Sequence, residues 1–128
     1  ASISSDFNCN GLAHYCAAKA GVKMLVRCMA AELGPHRIRV NGIAPGVIAT
    51  GLTRPLLEDP AVASRVRSST PLGRHGDPQE VARVVAFLAS DESSFVNGQI
   101  VGVCGGLSAP SVPAYRPIDY AADSGALA

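Results

Sequence analysis

The order of helical and strand-like segments constrains the fold of this 128-residue chain more than any other feature. Segment 11–34 is almost free of β-branched residues and is bounded by glycine, which predicts one long helix. Strands are predicted at 37–43 and at 99–103, on either side of a second helix that begins after Asp77, and Gly105–Gly106 close the second strand. Strands joined through a helix are expected to be parallel, with a right-handed crossover. The pattern therefore predicts the α/β class.

The helix after Asp77 has the clearest start signal. Asp77 suits the N-cap and Pro78 the first helical position, while Glu80 lies three residues after the cap, as in a capping box. Apolar residues then recur at helical spacing, at Val81, Val84, Val85 and Leu88.

Two other segments are predicted to be irregular. Segment 52–76 mixes short helix-like pieces with prolines and glycines, which is typical of a mobile loop. We expect it to form a lid that covers a site. The tail, 107–128, is rich in proline and shows no periodicity, so we expect coil or order that depends on a partner.

Charge and cysteine content exclude several classes of protein. The 11 Lys and Arg residues balance 10 Asp and Glu without forming a block, so no nucleic-acid partner is expected and small molecules are favoured. The four cysteines form no CxxC pair and the three histidines are not spaced to complete a metal site, which favours reduced thiols in the cytoplasm. No apolar run approaches the roughly 20 residues of a membrane helix, and the first residues lack signal-peptide features.

Tyr15 and Lys19 lie four positions apart in "HYCAAKAGVKML", within the first predicted helix. Residues at i and i+4 share one helix face, so a phenol hydroxyl and an ammonium can converge on one ligand. A free phenol, with a pKa of about 10, exchanges protons poorly at neutral pH, and a nearby ammonium stabilises its phenolate. The pair predicts an acid–base catalyst; the alternative is a half-buried ring beside a solvated amine. His14 points about 100° away and is not expected to take part.

These residues resemble a known family signature. Tyr15 and Lys19 match the YxxxK of the short-chain dehydrogenase/reductase family, and Ser2, thirteen residues before Tyr15, stands where that family has its catalytic serine. "RVNGIAPGVIAT" resembles the family's PG segment, and "PLGRHGDPQEVARVVAFLASDESSFVNGQIVGVCGG" resembles its C-terminal helix and strand. The likeness covers 1 to about 106 and is closest to the subgroup of 3-oxoacyl carrier-protein reductases and sugar, steroid and cyclic-alcohol dehydrogenases.

The resemblance implies a Rossmann-like, doubly wound parallel sheet in three αβα layers, of which this chain would be the C-terminal part. Residues 1–106 would form the catalytic and substrate half, with 107–128 as an irregular tail. The family's glycine-rich GxxxGxG turn and Asn-Asn-Ala-Gly segment are not found, so the dinucleotide-binding N-terminal half is expected to be absent. The chain could be a fragment, a subunit paired with a complementary chain, or an incomplete sequence.

The resemblance also implies roles for individual residues. Ser2 would hydrogen-bond the substrate oxygen, Tyr15 would exchange the proton, and Lys19 would support Tyr15 and hold the nicotinamide ribose of NAD or NADP. Further cofactor contacts are implied for Tyr15 and for four residues after the first strand: Pro45, Gly46, the backbone near Ile48 and the hydroxyl of Thr50. The family's "DGG" ending has Cys104 in place of its aspartate, which removes a carboxylate but no catalytic group.

The implied function is an NAD(P)-dependent oxidoreductase that interconverts a secondary alcohol and a ketone, without a metal. The alternative is a non-catalytic fragment or subunit that keeps the family's oligomer surfaces. By resemblance the complete protein is expected to be a homotetramer or homodimer, with no nucleic-acid or membrane partner. The lone chain is expected neither to hold its native fold nor to bind a dinucleotide, because one strand edge lacks its partner and little surface is buried.

Overall fold

The computed structural model describes residues 1–6 and 11–109, and the structural statements below concern these residues. Four α-helices and two strands follow one another as α1 (Ala13–Leu33), β1 (Gly42–Pro45), α2 (Arg54–Leu57), α3 (Pro60–Ser69), α4 (Pro78–Ala89) and β2 (Ile100–Val103). Short 3₁₀ turns lie at Ile3–Ser5, Gly34–His36 and Asp91–Ser93.

Helix α1 confirms the long helix predicted at 11–34, although it begins at Ala13. Its end follows from the sequence: the N–H of Gly34 bonds to the carbonyl of Ala30, and the chain turns into the 3₁₀ segment that contains Pro35. A proline has no N–H to donate and cannot continue the helical ladder.

Strands β1 and β2 pair in parallel, with Gly42 opposite Ile100 and Pro45 opposite Val103. Helix α4 precedes β2 in the chain and packs on both strands. The predicted pair of parallel strands joined through a helix is therefore confirmed, and so is the α/β class.

The bounds predicted for β1, 37–43, are wrong because the strand begins only at Gly42. The residues before it are held by side chains instead of a ladder. The N–H of Val40 donates to Asn97 Oδ1 at 2.8 Å, and the Arg39 guanidinium donates to the carbonyl of Ser90 at 3.0 Å. Hydrogen bonds between residues so far apart in sequence cannot be predicted from a local periodic pattern.

Strand β2, Ile100–Val103, confirms the strand predicted at 99–103 to within one residue, and glycines lie on either side of it. Gly98, Gly105 and Gly106 have φ angles of 69°, 62° and 90°, which lie outside the extended region of a strand.

The segment predicted to be an irregular lid contains a ten-residue helix, α3, as well as the short α2. Asp59 caps α3 by accepting from the N–H of Ala61 at 2.8 Å, and Pro60 occupies the first turn. The prediction took the prolines as loop signals, whereas a proline in the first turn of a helix starts it. Of the predicted tail, only 107–109 are described, and the rest lies outside the described residues, as does Cys9.

The described residues bury little apolar surface. Their buried hydrophobic side chains are Ile3, Ala30, Ala44 and Ile48. Helix α1 approaches β1 at Gly42, where an added Cβ would be 3.4 Å from Val26 Cγ2. None of the helices in the described ranges is long and apolar enough to cross a membrane.

Candidate active site

Helix α1 carries the predicted Tyr15 and Lys19 on one face. The Lys19 ammonium lies over the Tyr15 ring, 5.3 Å from its centroid. The ring is 37% exposed, so the phenol remains reachable from solvent. This cation–π arrangement fixes the amine beside the phenol, but in the described structure no hydrogen bond joins Nζ to the phenol oxygen.

Ser2 begins the 3₁₀ turn that packs on α1. Its side chain is only 9% exposed, and its oxygen accepts a hydrogen bond from the N–H of Ser4 at 3.2 Å. No hydrogen bond donated by the Ser2 hydroxyl is found among the described residues.

The four predicted cofactor residues at the end of β1 and after it line a cavity of about 320 Å³. We call it the loop cavity, and it is lined by Pro45, Gly46, Ile48 and Thr50. Thr53, Pro78 and Val81 complete its wall, so the start of α4 closes it. The cavity lies at the carboxyl end of β1, where open α/β sheets bind ligands.

Sequence reasoning missed Thr53, which organises this loop. Its hydroxyl donates to the carbonyl of Ile48 and accepts from the N–H of Thr50 at 2.9 Å. The hydroxyls of Thr50 and Thr53 are 3.1 Å apart. The spacing "TGLT" was the available signal, because a threonine can bond to backbone groups a few residues away.

Gly46 has a structural neighbour that the sequence did not indicate. A Cβ atom at residue 46 would lie 2.9 Å from both Cα and Cβ of Cys104. The N–H of Gly46 donates to the carbonyl of Val103 at 3.0 Å. The glycine therefore allows the loop to leave β1 against the end of β2, whatever role it has toward a cofactor.

The predicted residues thus form two groups. Ser2, Tyr15 and Lys19 belong to the first turn and α1, while the other predicted cofactor residues lie at the end of β1 and in the loop that follows it. No hydrogen bond or ion pair within the described ranges joins the two groups. In the described part of the chain, no three or more His, Cys, Asp or Glu side chains form a cluster that could hold a metal ion.

The α/β unit, with its parallel strands and packed helices, is consistent with part of a Rossmann-like fold. Residues 1–108 match the family described as enoyl-(acyl carrier protein) reductase, and the chain belongs to the short-chain dehydrogenase/reductase family. The resemblance drawn from the sequence motifs is therefore confirmed.

Three relatives define the likeness. The chain is 44% identical over 106 residues to the 5-keto-D-gluconate 5-reductase of Escherichia coli, covering 83% of this chain and 42% of that protein. A gluconate 5-dehydrogenase from Burkholderia cenocepacia, solved with NADP and tartrate, shares 39% identity with a TM-score of 0.81 over 86% of this chain and 43% of its own. A 4-hydroxyisoleucine dehydrogenase solved with NADH has 35% identity and a TM-score of 0.84 over 87% of this chain and 46% of its own. The chain spans less than half the length of these relatives.

Proposed function

We propose that the whole protein is an NAD- or NADP-dependent oxidoreductase that interconverts a secondary alcohol and its ketone. The observation that carries the proposal is the Lys19 ammonium over the Tyr15 ring, on the helix against which the Ser2 turn packs. Relatives with 35–44% identity include two dehydrogenases solved with NADP or NADH, which supports the choice of cofactor.

Proton exchange is assigned to Tyr15. In ketone reduction its hydroxyl donates to the oxygen on which negative charge develops, and in alcohol oxidation the phenolate accepts that proton. The same side chain is assigned both directions, with the Lys19 ammonium over its ring. The exposed part of the ring allows a substrate to reach it.

Ser2 is assigned the task of orienting the substrate. Its hydroxyl oxygen accepts from the N–H of Ser4, and its proton is assigned to the substrate oxygen. A second donor at that oxygen shares the charge of the transition state, which is where such a hydrogen bond contributes to rate.

The loop cavity fits the nicotinamide end of the cofactor. Pro45, Gly46 and Ile48 provide an apolar wall, and the exposed Thr50 adds a hydroxyl at its rim. When bound, the nicotinamide would supply or accept the hydride. The described residues offer no glycine-rich turn for a pyrophosphate, so this chain is assigned only the nicotinamide half of the cofactor site.

A non-catalytic subunit is the second candidate, and two exposed apolar side chains of α4 favour it. Val85 and Phe87 are 46% and 43% exposed, which suits a contact with another subunit. The same exposure is compatible with the homotetramer or homodimer expected for an active enzyme. Assembly therefore stays a prediction and does not separate the two candidates.

Activity of a Tyr15→Phe variant separates them. Gluconate and 5-ketogluconate, each with both cofactors, are the first substrates to test, because two of the relatives are named for them. Removing the hydroxyl takes away general acid catalysis alone, so we expect kcat of the whole protein to fall by a factor of about 10² to 10⁴.

His14→Gln is the matched control, since it alters the neighbouring side chain of the same helix without touching the phenol. It should keep kcat within about two-fold, because adjacent helical residues point about 100° apart. Equal turnover in Tyr15→Phe and the parent protein would contradict the assignment of Tyr15, and no turnover in the parent with any alcohol or ketone would favour the non-catalytic subunit.

A further inference from the structure

An ion pair connects the Ser2 turn to helix α1. The Lys23 ammonium, on α1, binds a carboxylate oxygen of Asp6. Asp6 is the residue at which the turn ends, since its N–H donates to the carbonyl of Ile3 at 2.9 Å. Neither charged residue lines the loop cavity or belongs to the proposed acid–base pair, so the site described above assigns this contact no role.

Lys23 lies on the same side of α1 as the proposed acid–base pair. Tyr15, Lys19 and Lys23 follow one another at intervals of four residues. Each interval turns the side chain by only about 40° around the helix axis, because four residues slightly exceed one helical turn. The ion pair therefore attaches the Ser2 turn to the side of the helix that carries the phenol.

Hydrogen bonds within the turn connect Asp6 to Ser2. The hydroxyl of Ser5 donates to the carbonyl of Ser2 at 2.7 Å and lies 3.4 Å from Asp6 Oδ2. The N–H of Ser5 donates to the same carbonyl at 3.0 Å. Ser2 and Ile3 are buried at the start of the turn, whereas the ion pair holds its end. A displacement of Asp6 is therefore transmitted to Ser2 through a few short contacts.

The exposure of the ion pair indicates where its effect should be found. The side chains of Lys23 and Asp6 are 22% and 40% exposed, so water and salt screen part of their attraction. Ion pairs with this exposure contribute little to the free energy of unfolding. Catalysis is more sensitive to position, since a misplacement of about 1 Å can lower a rate by a factor of about 10². The pair is therefore better suited to position a group than to stabilise the fold.

We propose that Asp6 and Lys23 are positioning residues that hold the Ser2 hydroxyl at the substrate oxygen. The inference rests on the proposed function, because it acts through the substrate contact that is assigned to Ser2. Neither charged side chain is assigned a contact with the substrate. When the ion pair is broken, the Asp6 end of the turn is no longer held against α1, and the Ser2 hydroxyl loses its fixed direction.

Steady-state kinetics of two variants of the whole protein test the role of the ion pair. Lys23→Met removes the positive charge and Asp6→Asn removes the negative charge, and each keeps most of the shape of its side chain. We expect kcat to fall about ten-fold in both variants and KM to stay within about two-fold, because the Ser2 contact contributes mainly in the transition state. An effect of charge on Tyr15 would instead move kcat in opposite directions in the two variants, and that result would overturn the proposal.

A double-mutant cycle with Ser2→Ala tests whether the effect passes through Ser2. If the ion pair acts by placing the Ser2 hydroxyl, it has nothing left to place once that hydroxyl is removed. Lys23→Met should therefore lower kcat by less than about two-fold when it is added to Ser2→Ala. The same ten-fold loss in both backgrounds would show that the pair acts by another route and would overturn the proposal.

Two further substitutions on α1 serve as rescue and control. Lys23→Arg keeps the positive charge and should retain kcat within about two-fold of the parent, since a guanidinium also pairs with a carboxylate. Arg27→Met is the matched control, because Arg27 lies one turn farther along α1, is exposed and has no ion pair with a described residue. A loss in Lys23→Arg or in Arg27→Met as large as that in Lys23→Met would contradict a role of the ion pair.

Hydrogen–deuterium exchange measures the turn without any turnover. The N–H groups of Ser5 and Asp6 bond to carbonyls within the turn, so their exchange rate reports how often it opens. We expect exchange about five-fold faster in Lys23→Met and unchanged in Arg27→Met. Exchange as slow in Lys23→Met as in the parent would overturn the proposal. A parent that turns over no alcohol or ketone would contradict the proposed function instead, and the exchange rates would then decide alone whether the ion pair holds the turn.

Discussion

At the end of β1, the type of residue that a position can hold depends on neighbours that are distant in sequence. Gly46 illustrates this, because Cys104 leaves no room for a side chain at residue 46. The sequence predicted that Gly46 would matter, but it gave a different reason, a close approach to a cofactor. Tyr15 and Lys19 were easier to predict, since their proximity follows from helical spacing alone.

Replacing Gly46 by alanine should destabilise the fold. The new Cβ would lie 2.9 Å from the backbone Cα of Cys104 and equally close to its Cβ, and neither atom can rotate away. Overpacking of this kind typically costs about 1 to 3 kcal/mol of unfolding free energy. Urea unfolding of the whole protein, followed by circular dichroism, measures it.

Gly51→Ala is the control for that variant. Residue 51 lies in the same loop, has no positive φ, and has no atom within 4 Å of the position where a Cβ would stand. Its unfolding free energy should change by no more than about 0.5 kcal/mol. Matching losses in both variants would show that the contact with Cys104 is not the cause.

At the scale of elements, local signals predicted α4 and failed for β1 and α3. The capping box of α4 forms as expected: Asp77 accepts from the N–H of Gln79 at 3.0 Å, and Glu80 accepts from the N–H of Asp77 at 2.8 Å. All of its determinants lie within a few residues. The start of β1 instead depends on bonds from Val40 to Asn97, which no local pattern records.

Acid should weaken the start of α4 through Glu80. The hydrogen bonds from Arg74 and from the N–H of Asp77 lower the pKa of Glu80 to about 2, from 4.5. A lowered pKa in the folded state means that the stabilisation is complete above about pH 4.5 and is lost as the pH falls toward 2. Glu80→Gln should therefore flatten the dependence of the unfolding free energy on pH in this window.

Glu58→Gln serves as the comparison, because Glu58 is exposed and has no ion pair among the described residues. Chemical denaturation at a series of pH values, run on the parent and both variants, gives the three curves. Identical curves for Glu80→Gln and the parent would contradict a stabilising role of the Arg74 pair.

On the scale of the molecule, the described residues leave much apolar surface exposed. Several large side chains of α1 are open to solvent, among them Val22, Met24 and Leu25. In the described structure, β1 pairs only with β2, so its other edge offers unpaired backbone groups. Sequence motifs predicted the family, and the order of elements predicted the pair of parallel strands. Which apolar side chains are exposed depends on three-dimensional packing, which the sequence pattern does not reveal.

The 128-residue chain on its own should therefore behave as an incomplete core. We expect strong fluorescence from a dye that binds apolar surface, no cooperative thermal transition, and no micromolar binding of NADH or NADPH. The reason is that the chain buries too little apolar surface to offset the conformational entropy lost on folding, about 1 to 2 kcal/mol per residue. The whole protein, measured in parallel, should show a sharp transition and weak dye fluorescence. A cooperative transition together with micromolar NADH binding by the lone chain would contradict this prediction.

The parallel pairing of β1 with β2 also sets an order of events during synthesis. Asn41 and Gln99, which bond to each other just before the paired strands, are 58 positions apart. While the ribosome adds the intervening residues, β1 has emerged but its partner does not yet exist. Helices α1 and α4 need only local contacts and can form early, whereas the sheet must wait for the closure of a long loop. A nascent chain halted before Ile100 would therefore contain helices and an unpaired β1, a form that chaperones recognise by its exposed apolar segments.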